Sequence, residues 1–146
     1  MRRKGRCRVK AKEYLEGIKR LDNIINSLIA EYETLKGMTM KITASTEGDR
    51  VQASGSQEKM ADIVCKMIDC QNSINSNIDK YINMRKNILE VIQLLDNADH
   101  IAVLYKRYYE YKKWEQIACE MGLGWRGTLK LHGRALNAMD NILNDK

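Results

Sequence analysis

WEQIACEMGLGWRGTLKLHGRAL, residues 114–136, decides how the C-terminal part of this chain folds. Trp114, Ile117, Ala118 and Met121 recur at helical spacing, so one apolar side faces inward. Gly122-Leu123-Gly124 then interrupts the pattern. Gly122 can take a left-handed turn conformation without steric cost. A further helix starts near Trp125 and runs toward Leu143, with Thr128, Leu131, Ala135, Leu136, Met139 and Leu143 facing back. Ala118 is small enough to let the two helices cross closely, and Leu123 is expected to plug the small core between them. The pattern predicts a helix-turn-helix.

Working outward, Asp96-Asn97-Ala98-Asp99 supplies a helix break and an N-cap. A helix over about Ala98–Tyr109 follows, with Ile101, Leu104, Tyr105 and Tyr108 on its buried side. Trp114 should bridge the first two helices of this module. Upstream, residues 57–95 carry a long stripe at Met60, Val64, Met67, Ile74, Ile78, Tyr81, Ile88, Ile92 and Leu95. Gln71 and Arg85 stand at two seam positions, where polar residues lower stability and fix register. Ile63, Ile68, Ile82, Met84, Leu89 and Val91 widen the stripe, which implies more than one neighbour.

A second seam lies nearer the N-terminus, at Tyr14, Ile18, Leu21, Ile25, Leu28, Tyr32 and Leu35. Its steps of four and three form an unbroken heptad pattern. Gly37 reads as the glycine that ends this helix. Gly, Ser and Thr dominate the next stretch, so a loop is expected over about 37–56, with Ser54 or Ser56 capping the following helix. The heptad seam suits an antiparallel hairpin within one chain. It equally suits an intermolecular coiled coil, and the oligomeric state stays open between monomer and homodimer.

The sequence contains no Pro and no Phe, is 44% hydrophobic and 30% charged, and has a net charge of +6. This composition is too apolar for disorder and permits long uninterrupted helices. The excess charge is local: residues 1–12 hold seven basic groups and no acid, leaving 18 basic against 19 acidic residues elsewhere. Such an arm favours a polyanion, and Arg2, Arg3, Lys4, Arg6 and Arg8 are candidate contacts; the alternative is a solvated tail. The cysteines, Cys7, Cys65, Cys70 and Cys119, form no C-x-x-C pair and suggest small apolar filler in a reducing cytosol. No metal ligand set follows from the spacing, and no cofactor is expected. The N-terminus lacks the apolar run of a signal peptide, and no stretch reaches the length of a membrane span. A cytoplasmic location is expected.

In a helix-turn-helix the second helix presents its first turns to the major groove of double-stranded DNA. The outward residues here are Trp125, Arg126, Gly127, Leu129 and Lys130. The fork of Arg126 can bond a guanine edge, or it can contact phosphate. Lys130 suits phosphate. Trp125 could meet a thymine methyl or a sugar, or pack on Leu129. Lys112 and Lys113, just ahead of the preceding helix, suit backbone clamping, against a solvated turn as the alternative. His132 has no second ligand at metal spacing and is read as a surface or phosphate-contact residue. Tyr105, Tyr108, Tyr109 and Tyr111 are read as core and rim.

The turn residues 114–124, followed by Arg134-Ala135-Leu136, resemble region four of bacterial sigma factors. KEYLEGIKRLDNIIN, DRVQASGSQEKMAD, LYKRYYEYKKWEQIA and LHGRAL resemble the phage transcriptional activators of the RinA and ArpU type, over about residues 10–140. The resemblance implies a regulator of phage or prophage genes, often late genes, that reads DNA with its last helix and acts with host RNA polymerase. It places Trp125, Arg126, Gly127, Leu129 and Lys130 in groove-facing slots and Arg134 at the later arginine. Gly124 stands where Ser or Thr usually opens the recognition helix, and Thr128 where a β-branched apolar residue is usual. No core-binding or promoter-melting region of a full sigma factor stands out in these residues, so the chain is expected to assist polymerase and not to replace a sigma factor.

Two functions therefore compete: a sequence-specific DNA-binding regulator, and a coiled-coil adapter that grips RNA polymerase or another regulator. An enzyme is not expected, since no nucleophile–base pair, paired carboxylates or phosphate loop stands out. The expected fold is all-α: a basic arm over 1–12, a long antiparallel helical hairpin over 13–95, and a small C-terminal helix-turn-helix domain over 96–146.

Overall fold

The computed structural model describes residues 10–46 and 53–145, and all of the regular structure in them is helical. Helix α1 spans Ala11–Thr46 and α2 spans Ala53–Gln93. Three shorter helices follow: α3, Ala98–Leu104; α4, Trp114–Met121; and α5, Trp125–Asn144. The fold is an all-α helical hairpin followed by small helices. The basic arm, Arg2 to Arg8, lies outside the described residues.

The expected loop over 37–56 is shorter than its composition suggests. Helix α1 continues through Gly37 to Thr46, and α2 has begun by Ala53, so Ser54 and Ser56 sit inside the helix instead of capping it. The physical reason is that the seam does not stop at Leu35. Thr39 and Ile42 extend its four-and-three spacing, and both are partly buried. No atom outside the local helix lies within 4 Å of a Cβ built at Gly37. Gly37 therefore costs the helix some stability without ending it.

Along α2 the inward stripe runs Met60, Ile63, Met67, Cys70, Ile74, Asn77, Tyr81, Met84 and Ile88, all at least partly buried. Met60, Met67, Ile74, Tyr81 and Ile88 fall where the periodicity placed them. The other seam positions lie on the opposite flank from the expected one. Cys70 and Asn77 face inward, while Gln71, Val64 and Ile78 are exposed. Beyond Ile82 both flanks are covered: Arg85 is partly buried and Ile92 is fully buried. The helix has more neighbours there than below.

The chain packs as two compact units. One joins the described residues up to Arg20 with Ile82 onward; the other is residues 21–81. The expected division at Leu95 and Asp96 does not coincide with this packing, because the first turns of α1 and the last turns of α2 share a core with α3, α4 and α5. In the first unit, Leu15, Ile18, Ile88, Ile92, Leu104, Ile117, Met139 and Val103 are fully buried. Gly17 lets α1 approach α2 closely: a Cβ there would stand 3.2 Å from the Met84 sulfur. Asp140 of α5 caps α1, its Oδ1 accepting the Ala11 N–H at 2.6 Å. Among the described residues of the second unit, Ile25, Cys70 and Ile74 are the buried ones, and none of them is as completely enclosed. There the Cys70 thiol donates to the Leu28 carbonyl at 3.2 Å.

Asn97 caps α3, its Oδ1 accepting from Asp99 N at 2.8 Å and His100 N at 3.3 Å. The helix expected over Ala98–Tyr109 changes character midway. After Leu104 it widens into a π-helical turn, Tyr105–Tyr109, closed by Glu110 N donating to Tyr105 O at 3.1 Å. Widening brings the Tyr105 and Tyr109 rings into a stack at 4.7 Å, with Arg85 of α2 3.8 Å above Tyr109. Tyr111 then takes a left-handed conformation, φ 56, and the chain reverses into α4. Among the described residues, no helix is long and apolar enough to cross a membrane, and no group of three His, Cys, Asp or Glu is arranged to hold a metal ion.

Candidate functional site

The site is the α4–turn–α5 segment. Helix α4 starts after Lys113, whose backbone is extended and whose N–H donates to Gln116 Oε1 at 3.2 Å. Ile117 and Ala118 are buried. Gly122 ends the helix in the left-handed conformation, φ 65, as the turn pattern predicts. Its N–H donates to Cys119 O at 3.2 Å, and Leu123 N donates to Ala118 O at 2.9 Å. This pair of bonds is the Schellman closure, which requires a residue tolerant of positive φ. Leu123 does not plug the core, being 39% exposed. That bond to Ala118 holds its backbone in the turn, and its side chain remains substantially exposed.

Helix α5 begins after Gly124, which offers no side-chain acceptor to the first turn. Thr128 fills the inner position and is buried. Its N–H and its hydroxyl both donate to the Gly124 carbonyl, at 2.9 and 3.1 Å. A polar residue is thus satisfied where an apolar one would also fit. With Thr128, Ala135 and Met139 inward, the opposite side carries Trp125, Arg126, Leu129 and Lys130, all exposed. Arg126, Lys130 and Arg134 follow one another at intervals of four along the exposed side. Gly127 lies between them, and a Cβ there would meet only Leu123, at 4.0 Å. Trp125 is 48% exposed, a large aromatic surface for the start of a helix.

Other candidates are placed differently. His132, read as a surface or phosphate contact, is half-buried among aromatic rings. Its Nε2 lies 3.0 Å from the Tyr108 hydroxyl, and its ring meets Trp114 edge-on at 4.7 Å. Burial pushes the imidazole down to about 4, with the Arg107 and Lys12 charges acting in the same direction. Burial likewise pushes the Tyr108 phenol up to about 12, aided by Glu16 and opposed by Arg107. Both groups are therefore neutral near pH 7, and His132 serves the packing of the π-helical turn, α4 and α5. A neutral imidazole is a poor phosphate ligand compared with a cation.

Lys112 is partly buried and committed within the fold. It pairs with Glu110 at 2.9 Å and with Glu120 at 2.8 Å, and these hydrogen bonds raise its pKa. Lys106 binds the same Glu120 carboxylate, which is held below its ordinary pKa by Lys106 first and Lys112 second. Lys113 is exposed beside this cluster. Arg107 lies 4.5 Å from the Trp114 ring and donates to Lys112 O at 2.9 Å, fixing the connector. Sequence periodicity could not have found the partners Lys106–Glu120, Lys112–Glu120 and Arg107–Trp114, because each joins separate elements.

No family model matches the chain, and no curated protein or solved structure matches it either.

Proposed function

We propose that α5 reads double-stranded DNA and that the chain regulates transcription of phage or prophage genes. The observation that carries this reading is the division of α5: Thr128 turns inward, while Trp125, Arg126, Leu129 and Lys130 stand outward immediately after a tight glycine turn. A helix entering the major groove needs such an uncovered first face, and a forked cation on it can bond a guanine edge at two points. Arg126 supplies the fork, Lys130 and Arg134 supply charge along the same side, and Lys113 stands at the start of the preceding helix. Lys112 and His132 leave the contact set, since one is committed to carboxylates and the other is neutral and packed. The assignment to activation of late genes, together with bacterial RNA polymerase in the host cytoplasm, rests on the resemblance to the RinA and ArpU type.

A second reading draws on a different observation. Leu123, Trp125 and Leu129 are apolar and 38 to 48% exposed. An adapter that docks on polymerase would use this surface for protein, without touching bases. Binding to promoter fragments at several salt concentrations separates the two. For a DNA reader, Arg126→Ala weakens binding by about 1–3 kcal/mol and relaxes discrimination at one base pair, whereas Lys130→Ala lowers the salt slope by about one. If the double variant binds as tightly as the parent with the same salt slope, the DNA-reading function is wrong. Loss of polymerase binding in a Trp125→Ala variant that keeps DNA affinity would favour the adapter.

A further inference from the structure

Helix α2 carries a second apolar stripe that α1 does not cover. Val64, Ile68, Ile78 and Ile82 are 42%, 55%, 37% and 58% exposed, respectively. With Gln71 and Asn75 between them, their steps are four, three, four, three and four, a heptad seam of about 27 Å at 1.5 Å per residue. Gln71 and Asn75 are exposed and bonded to each other, Nε2 to Oδ1 at 3.1 Å. The stripe ends after Ile82 because the next position, Arg85, is stacked on Tyr109.

The order of residues along this stripe is palindromic. Val64 and Ile82 stand nine residues to either side of Ser73, Ile68 and Ile78 five, and Gln71 and Asn75 two. A two-fold contact between identical surfaces requires this relation, since residue i must suit residue j while j suits i. We propose that α2 of a second copy of this chain docks antiparallel on this stripe, about a two-fold axis at the height of Ser73. Ile68 of each copy meets Ile78 of the other, Val64 meets Ile82, and Gln71 meets Asn75 across the axis. The polar pair fixes register and orientation at some cost in stability. Charge favours the same direction. Glu58 and Lys86 lie on one flank of α2, fifteen and thirteen residues from Ser73, so antiparallel docking sets each near its opposite. The weak core of residues 21–81 supplies the need, because among the described residues there only Ile25, Cys70 and Ile74 are buried.

The inference is independent of what α5 binds, and it is tested without DNA. Light scattering of the full chain is expected to give about twice 16.9 kDa at micromolar concentration. Ile68→Lys and Ile78→Glu, made singly, should each shift the mass to that of one chain while circular dichroism keeps the helical signal. The double variant I68K/I78E should restore the dimer, because each lysine then faces a glutamate of the other copy. Ile29→Glu, on an exposed position of α1 away from the stripe, should leave the mass unchanged. A wild-type monomer over the whole concentration range overturns the proposal. So does a dimer that I29E breaks and I68K leaves intact. Failure of the double variant to restore the dimer overturns the antiparallel direction.

Discussion

The two units of this chain are built from the same long helices and hold together differently. Where α1 and α2 meet the short helices, Leu15, Ile18, Ile88 and Ile92 are fully buried, together with Leu104, Ile117 and Met139. Among the described residues of 21–81 the same two helices have only each other, and most of their seam positions are partly exposed. A two-helix pair buries one stripe per helix, whereas a helix with several neighbours is covered on both flanks. The difference teaches that heptad spacing sets which side faces in, and the number of neighbours sets how much that side contributes.

The largest expected effect tests this directly. Ile88→Ala or Ile117→Ala should cost about 2–5 kcal/mol in urea unfolding, while Ile25→Ala should fall at or below the lower end of that range. Equal losses would break the comparison. A pH titration of stability sharpens it next. The native imidazole of His132 takes up a proton only near pH 4, whereas an unfolded histidine does so near 6.5. Between these values the unfolded chain holds more protons, so the stability contributed by neutral His132 is complete above about 6.5 and is lost as pH falls toward 4. Thermal melts should fall across that window, and His132→Gln should flatten the dependence. Residues 21–81 contain neither histidine, so their local stability should not follow it. The smallest effects come from one substitution of opposite sign in the two regions. Gly37→Ala should stabilise by up to about 1 kcal/mol, since the residue is helical with open space around it. Gly122→Ala should destabilise by about 1–2 kcal/mol, because φ 65 is unfavourable for a side chain. Paired melts of the two variants measure both.

The first seam, Tyr14 to Leu35, and the turn at Gly122 were legible because periodicity and glycine chemistry are local signals. The continuation through Thr39 and Ile42 was hidden by composition: Gly37 and a run of Thr and Ser read as a stop. On α2 two flanks fit the same four-and-three spacing, one through Val64, Gln71 and Ile78 and one through Ile63, Cys70 and Asn77, and the helix turns the second toward α1. Periodicity detects an apolar stripe without saying which neighbour covers it. In the candidate site, the outward set from Trp125 to Lys130 followed from the inward position of Thr128. The fates of His132 and Lys112 did not, since Tyr108 and Glu120 reach them only through the fold. The fully buried Val103 was likewise missed beside the more conspicuous Leu104 and tyrosines.

The bond from Ala11 to Asp140 spans 129 residues of sequence. As the chain leaves a ribosome, residues 21–81 are complete and adjacent long before Asp140 exists. The first turns of α1 must wait for nearly the whole chain before their leading amide is capped and Leu15 and Ile18 find their partners. The better-packed unit therefore cannot close before Asp140 is made, whereas the pairing within residues 21–81 needs no later part of the chain.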